Sequence, residues 1–139
     1  MKITPKPKRN PASRWTPGLA HSWTPIADAF LENYAALDPP ITSSEAMLII
    51  HLMQHKWDEK APYPGFETLG KRMGMTATAV RNHARSLEKK GYLRRQLRVS
   101  QTNKFHLSGL FSKLETCVAS KPVKAKREIV FDASALETA

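Results

Sequence analysis

The stretch from Phe66 to Leu87 constrains this chain more than any other. Two runs of apolar residues at helical spacing meet there at a single glycine, Gly74. Leu69 and Met73 mark one face of the first run. Val80, Ala84 and Leu87 mark one face of the second, and Met75 falls in the turn between them. Steps of three and four place such residues on one side of a helix. A glycine just past a helix end supplies the left-handed residue that reverses the chain. The pattern predicts a helix over Phe66–Met73, a turn at Gly74, and a helix from Thr76 as N-cap to Lys90, stopped by Gly91.

The flanking segments complete the arrangement. Thr42-Ser43-Ser44-Glu45 has capping-box spacing. It opens a helix in which Ala46, Ile49, Ile50, Met53 and Trp57 form one apolar stripe and Leu48 and Leu52 a second. A helix apolar on two sides is buried between partners, so Trp57 is expected in the core, closing the end of this helix. The expected partner is a helix over residues 26–37, with Thr24 as cap, Pro25 at its first position, and Ile26, Ala29, Phe30, Tyr34 and Leu37 on its apolar face. Asp38-Pro39-Pro40 ends it, and Ala61-Pro62-Tyr63-Pro64 reads as an extended connector. Tyr92–Ser100 alternates as a strand, with Leu93, Leu97 and Val99 inward and Arg94, Gln96 and Arg98 outward. Arg95 breaks the inward set, as a bulge or as a snorkelling stem. Gln101-Thr102-Asn103 is a turn, Phe105 and Leu107 mark a returning strand, and Leu110–Val118 a short final helix. The expected fold is mainly α with a small β-hairpin wing, a winged helix-turn-helix.

Charge divides the chain. The 139 residues carry a net charge of +10. Residues 1–25 contribute +5, residues 26–60 contribute −4, residues 61–115 contribute +8 and residues 116–139 contribute +1. A uniform solubilising coat would not be so uneven, and the surplus points to a polyanion. Residues 1–23 read as a flexible, basic, proline-rich tail in which Trp15 is able to dock locally, as is Trp23. Residues 24–118 read as the domain with its extra N-terminal helix, and residues 119–139 as a mostly flexible tail.

The second helix of the pair at Gly74 has one polar side, Ala77, Thr78, Arg81, Asn82 and Arg85, that suits docking in the major groove of DNA. Arginine suits guanine and asparagine suits adenine, which favours Arg81 and Asn82 as base readers. Thr76, Thr78 and Arg85 suit phosphates, which fix register. Arg94, Arg98, Asn103 and Lys104, on or beside the hairpin, would contact backbone or minor groove. Arg9 and Arg14 would reach DNA as a flexible arm.

The run Tyr63-Pro64-Gly65-Phe66-Glu67-Thr68-Leu69-Gly70-Lys71-Arg72-Met73-Gly74-Met75-Thr76 resembles the start of bacterial helix-turn-helix domains common on phages, plasmids and other mobile elements. Val80, Leu87-Glu88-Lys89-Lys90-Gly91-Tyr92-Leu93 and Thr102-Asn103-Lys104-Phe105-His106-Leu107 continue the likeness, and Ser22–Leu37 is similar to the lead-in of phage replication-protein N-terminal domains. The resemblance covers roughly Ser22 to Leu114. It implies sequence-specific binding of DNA in transcription control or replication initiation. Gly65 stands where that family usually has a capping serine and Gly70 where it usually has alanine, which weakens the helix between them. The 119–139 segment has no counterpart in the pattern.

Other chemistries are poorly supported. His51 and His55 are four apart, but no glutamate follows the first as a zinc protease requires, so they read as ordinary helix histidines and no metal is expected. His83 reads as packing. Cys117 has no activating motif, and one cysteine forms no internal disulfide. No phosphate loop or paired-carboxylate motif suggests an enzyme, and no cofactor is implied. The longest apolar stretch, Ala46–Met53, is too short to span a bilayer. The expectation is a cytoplasmic protein whose partner is double-stranded DNA, bound most simply as a homodimer regulating transcription. The other readings are a replication-initiation or partition protein at origin repeats, and a winged-helix protein-interaction module. The 119–139 tail is a candidate contact for a protein partner: its Lys121–Arg127 stretch reads as a linker, and Ile129-Val130-Phe131 is able to pair with a sheet edge.

Overall fold

The computed structural model describes residues 14–121. Residues 25–120 form one compact unit, and residues 14–24 belong to another. Within 14–24 a turn closes through Leu19 N–H to Thr16 O at 2.9 Å, and Trp15 and Trp23 are exposed.

In the larger unit, α1 spans Asp28–Asn33 and passes into a 3-10 turn at Tyr34–Ala36. α2 spans Ser43–Gln54, α3 Phe66–Met73 and α4 Ala77–Lys89. β1, Arg94–Gln96, pairs antiparallel with β2, Lys104–His106, and α5, Ser108–Ala119, closes the unit. The fold is mainly α with a two-stranded wing, the winged helix-turn-helix arrangement.

Local chemistry sets the helix ends. At α2 both halves of the capping box form: Thr42 Oγ1 accepts from Glu45 N–H at 3.2 Å, and Glu45 Oε1 accepts from Thr42 N–H at 2.9 Å. Thr76 caps α4 by accepting from Ala79 N–H at 3.1 Å. Gly74 takes φ 68°, ψ 35°, the left-handed residue that the turn between α3 and α4 requires. Gly70 is the second glycine the turn needs. Its carbonyl accepts from Met75 N–H at 2.8 Å, and a Cβ added there would lie 2.6 Å from the Met75 carbonyl oxygen. An alanine at this position would strengthen an isolated helix but collide with the turn, so Gly70 is a packing requirement rather than a weakness.

The core gathers Leu48, Ile49 and Leu52 of α2, Leu69 of α3, Val80, Ala84 and Leu87 of α4, Phe105 of β2, and Leu110 of α5. Each such side chain contributes roughly 1.5–3 kcal/mol when fully buried. α2, α3 and α4 pack on one another. An ion pair ties α2 to the end of α4, with Lys90 Nζ 2.6 Å from Glu45 Oε1 and 2.8 Å from Pro40 O. Tyr92 O–H donates to Pro39 O beside it.

Three sequence expectations change. The first helix starts at Asp28, with Ala27 instead of Thr24 at the N-cap, and stops after six residues. Asn33 Nδ2 donates to Ala29 O at 2.7 Å, a side-chain bond that competes with the helical ladder. This helix packs principally on α5 rather than on α2. Trp57 lies beyond the end of α2, at Gln54, and is 87% exposed, because the stripe it extended stops where the helix does. In the hairpin, Leu93 and Phe105 are buried as expected, but β1 is three residues long, and Leu97 and Val99 are 79% and 91% exposed.

The connector at residues 61–64 adds no strand to the wing. It lies beside β2, where Pro62 O accepts from Phe105 N–H at 2.8 Å. Pro62 and Pro64 have no N–H to return, so no third strand ladder forms.

Candidate nucleic-acid interface

α4 turns Val80, Ala84 and Leu87 into the core, which leaves a polar ridge outside. Thr78, Asn82, Arg85 and Lys89 are exposed on it, at the i, i+4, i+7, i+11 spacing of one helix face. Ala77 and Arg81 are half-buried beside the ridge, as is His83. Thr76 lies at its N-terminal end, where its oxygen accepts the capping bond and its O–H remains a donor. Thr76, Ala77, Thr78, Arg81, Asn82 and Arg85 are therefore together on or beside one helical surface. Lys89 belongs to the same ridge, two turns beyond Asn82, and helical spacing from Arg85 would have found it.

The hairpin divides the remaining site residues. Residues directly opposite in an antiparallel pair share a face. Arg94 opposite His106 and Gln96 opposite Lys104 make the outer face, where Gln96 and His106 side chains bond at 2.8 Å. The His106 imidazole is held below its ordinary value, first by burial and then by Arg94, Lys104 and Lys56, so the cations of this face are arginine and lysine. Arg95, opposite Phe105, takes the inner face. It forms no bulge. Its guanidinium lies 5.8 Å from the centre of the Phe66 ring and its Nε donates to Glu88 Oε1 at 2.5 Å.

Arg98 does not project from the wing. Its Nε donates to Thr102 O at 2.8 Å and its guanidinium lies 5.1 Å from the Tyr63 ring. Thr102 O–H in turn donates to Tyr63 O at 2.5 Å. The exposed large apolar side chains at the tip are Leu97 and Val99.

Between the ridge and the wing runs an open groove of about 470 Å³. Phe66, Arg81, Arg85, Arg95, Gln101 and Asn103 are among the residues that line it. The Arg81 guanidinium lies 5.3 Å from the Phe66 ring, and Phe66 meets Phe105 edge to face at 5.8 Å. Asn103 is thus placed with Arg81 and Arg85, while Arg94 and Lys104 are on the far face of the hairpin. The sequence reading missed Arg95 as a site residue, since only tertiary structure brings Phe66 and Glu88 to it.

The two helix histidines lie away from this groove. Arg72 Nη1 donates to Gln54 Oε1 at 2.7 Å and is 3.2 Å from His55 Nε2. His51 and His55 are both held below their ordinary value, by burial first and then by Arg72. Among the described residues, no group of three or more histidine, cysteine, aspartate or glutamate side chains is placed to hold a metal, and no helix is long and apolar enough to cross a membrane. Cys117 is a free, half-buried thiol on α5. Arg14 is exposed. Arg9, most of the Lys121–Arg127 stretch and Ile129–Phe131 lie outside the described residues.

Residues 41–93 match a family described as "Helix-turn-helix domain". The matched span runs from the start of α2 through α4 to the first residue before β1. No curated protein matches the chain. The family match, laid over a helix with a polar ridge and a cationic groove, supports DNA as the partner.

Proposed function

We propose that this chain is a sequence-specific regulator of transcription that binds double-stranded DNA. α4 enters the major groove and presents Asn82 to base edges together with Thr78, which is exposed on the same face and moves here from the phosphate role its residue type suggested, and the β1–β2 hairpin flanks the helix as the wing. The observation that carries this reading is the ridge of Thr78, Asn82, Arg85 and Lys89 on a helix that the family match assigns to a helix-turn-helix. Such a helix has the width of the major groove, and its first turns reach furthest into it. The cations beside it supply the non-specific part of the affinity.

Two copies would read an inverted repeat with half-sites about 10 bp apart or a multiple of that distance. Exposed Leu31 on α1 and Val118 on α5 support self-association through that pair of helices.

The test is selection of bound sites from a random duplex library at physiological salt, with the mass of the free protein measured by sedimentation. An enriched motif with two-fold symmetry, together with a dimer, is the expected result. A clustered array of directly repeated sites would move the reading to replication initiation or partition. Retention of DNA with no enriched sequence would refute sequence-specific regulation.

A further inference from the structure

The groove between α4 and the wing is lined by three arginines, Arg81, Arg85 and Arg95, and by two neutral polar residues, Gln101 and Asn103. Of the three, Arg95 is paired with a carboxylate, that of Glu88. One carboxylate against three guanidiniums leaves an excess of positive charge along the groove. Two of the three are also held in place. Arg81 and Arg95 both lie against Phe66, at 5.3 and 5.8 Å from the ring centre, and Phe66 is itself braced by Phe105.

An arginine laid over an aromatic ring gains cation–π attraction and loses the freedom to extend. Arg81 is half-buried at the root of the wing, whereas Asn82 stands exposed on the ridge. A base reader must reach outward along the helix normal. A phosphate clamp must sit in a recess beside the helix and offer several N–H donors in fixed directions, which is what planar guanidinium groups do well.

We infer that this groove seats one backbone phosphate of the bound duplex, clamped by Arg81, Arg85 and Arg95, so that Arg81 fixes register and does not read a base. The inference rests on the DNA-binding reading above and deepens it. Specificity then falls to Thr78 and Asn82, and the groove sets how deep α4 sits.

The experiment uses the full chain and the duplex recovered by selection, with a scrambled duplex beside it. Arg81→Ala is expected to weaken both by the same factor, roughly tenfold, as for loss of a hydrogen bond to a charged group. It is also expected to lower the slope of log affinity against log salt by about one. A neutral methylphosphonate, stepped along the duplex one position at a time, then tests the clamp with the unaltered protein. Among the positions that cost affinity, one per half-site should lose its penalty in Arg95→Gln, and the others should keep theirs. Relaxed preference at a single base pair in Arg81→Ala, with the salt slope unchanged, would overturn the clamp and leave DNA binding intact. A methylphosphonate scan with no sensitive position that depends on Arg95 would also overturn it. Failure of the unaltered protein to bind any duplex would remove both readings.

Discussion

Replacing Lys90 by methionine tests how α4 is anchored. The Lys90 ammonium contacts Glu45 Oε1 at 2.6 Å and Pro40 O at 2.8 Å. The Glu45 side chain is 2% exposed and that of Lys90 20%. Methionine keeps most of the apolar stem and removes the charge, leaving a buried carboxylate with its remaining bond from Thr42 N–H and a contact with Ser86. Removing one partner of a fully buried pair costs about 3–5 kcal/mol. Lys90 is partly exposed and water can reach the vacated site, so about 2–3 kcal/mol is expected here. In a unit of this size each kcal/mol moves Tm by about 4–8 °C, which gives a fall of roughly 10–20 °C by calorimetry. Adding Glu45→Gln removes the stranded charge, so the double variant should be more stable than Lys90→Met alone.

The pair also has a signature in pH. Burial disfavours the charged Glu45 carboxylate, but bonds from Lys90, Ser86 and Thr42 more than offset this and hold its pKa below the ordinary 4.5. A lowered carboxyl pKa contributes stability that is present above the unfolded value and lost as pH falls through the folded value. Without Lys90 the gap between the two values narrows, so Lys90→Met should lose less stability on acidification than the parent. A fall in Tm of only about 3 °C, or a double variant no more stable than Lys90→Met, would refute the anchoring argument.

Further outcomes follow from particular contacts. Gly70→Ala should lower the urea midpoint by the equivalent of about 1–3 kcal/mol, because the added methyl meets the Met75 carbonyl; a raised midpoint would show that helix propensity governs this position. Leu97→Ser and Val99→Ser should change stability by no more than about 0.5 kcal/mol, whereas Leu93→Ala should cost about 2–5 kcal/mol. Equal losses in all three would mean that the wing tip is packed. His51, His55 and His106 are all held below 6.5. Their contribution to stability is complete above the unfolded value and is lost as pH falls through the folded values, so Tm should decline from about pH 8 to about pH 5. Replacing all three by glutamine should flatten that decline, and an unchanged profile would assign it to other groups.

What could be read from the sequence was local. The Thr42–Glu45 capping box, the Thr76 cap and the left-handed Gly74 each depend on residues within a few positions of one another, and each forms as its spacing implies. Leu69, Val80, Ala84 and Leu87 are buried because helical period alone assigns them to one side. The first helix was misjudged at both ends, since its end depends on a side chain, Asn33, competing for a backbone carbonyl. The wing differs because of its turn. Alternation from Leu93 to Val99 assumes that the strand continues, yet the chain leaves β2 after Gln96 and reverses through Ser100, at φ 57°, with Arg98 Nε bonded to Thr102 O, so the pairing covers three residues.

Arg95 shows why the site was harder to read than the fold. By alternation it is an apolar position occupied by a charge, and taken alone that is an error in the pattern. Glu88, seven residues earlier, and Phe66, twenty-nine residues earlier, convert the error into a fixed cation. The same two contacts hold Arg95 on the face toward α4, where Arg81 lies against the same Phe66 ring. A departure from binary patterning at a position with a π face and a counter-ion is here a fixed cation, which is what the proposed phosphate clamp needs. The hairpin contributes that cation to the groove beside Leu97, next to the helix that carries the ridge.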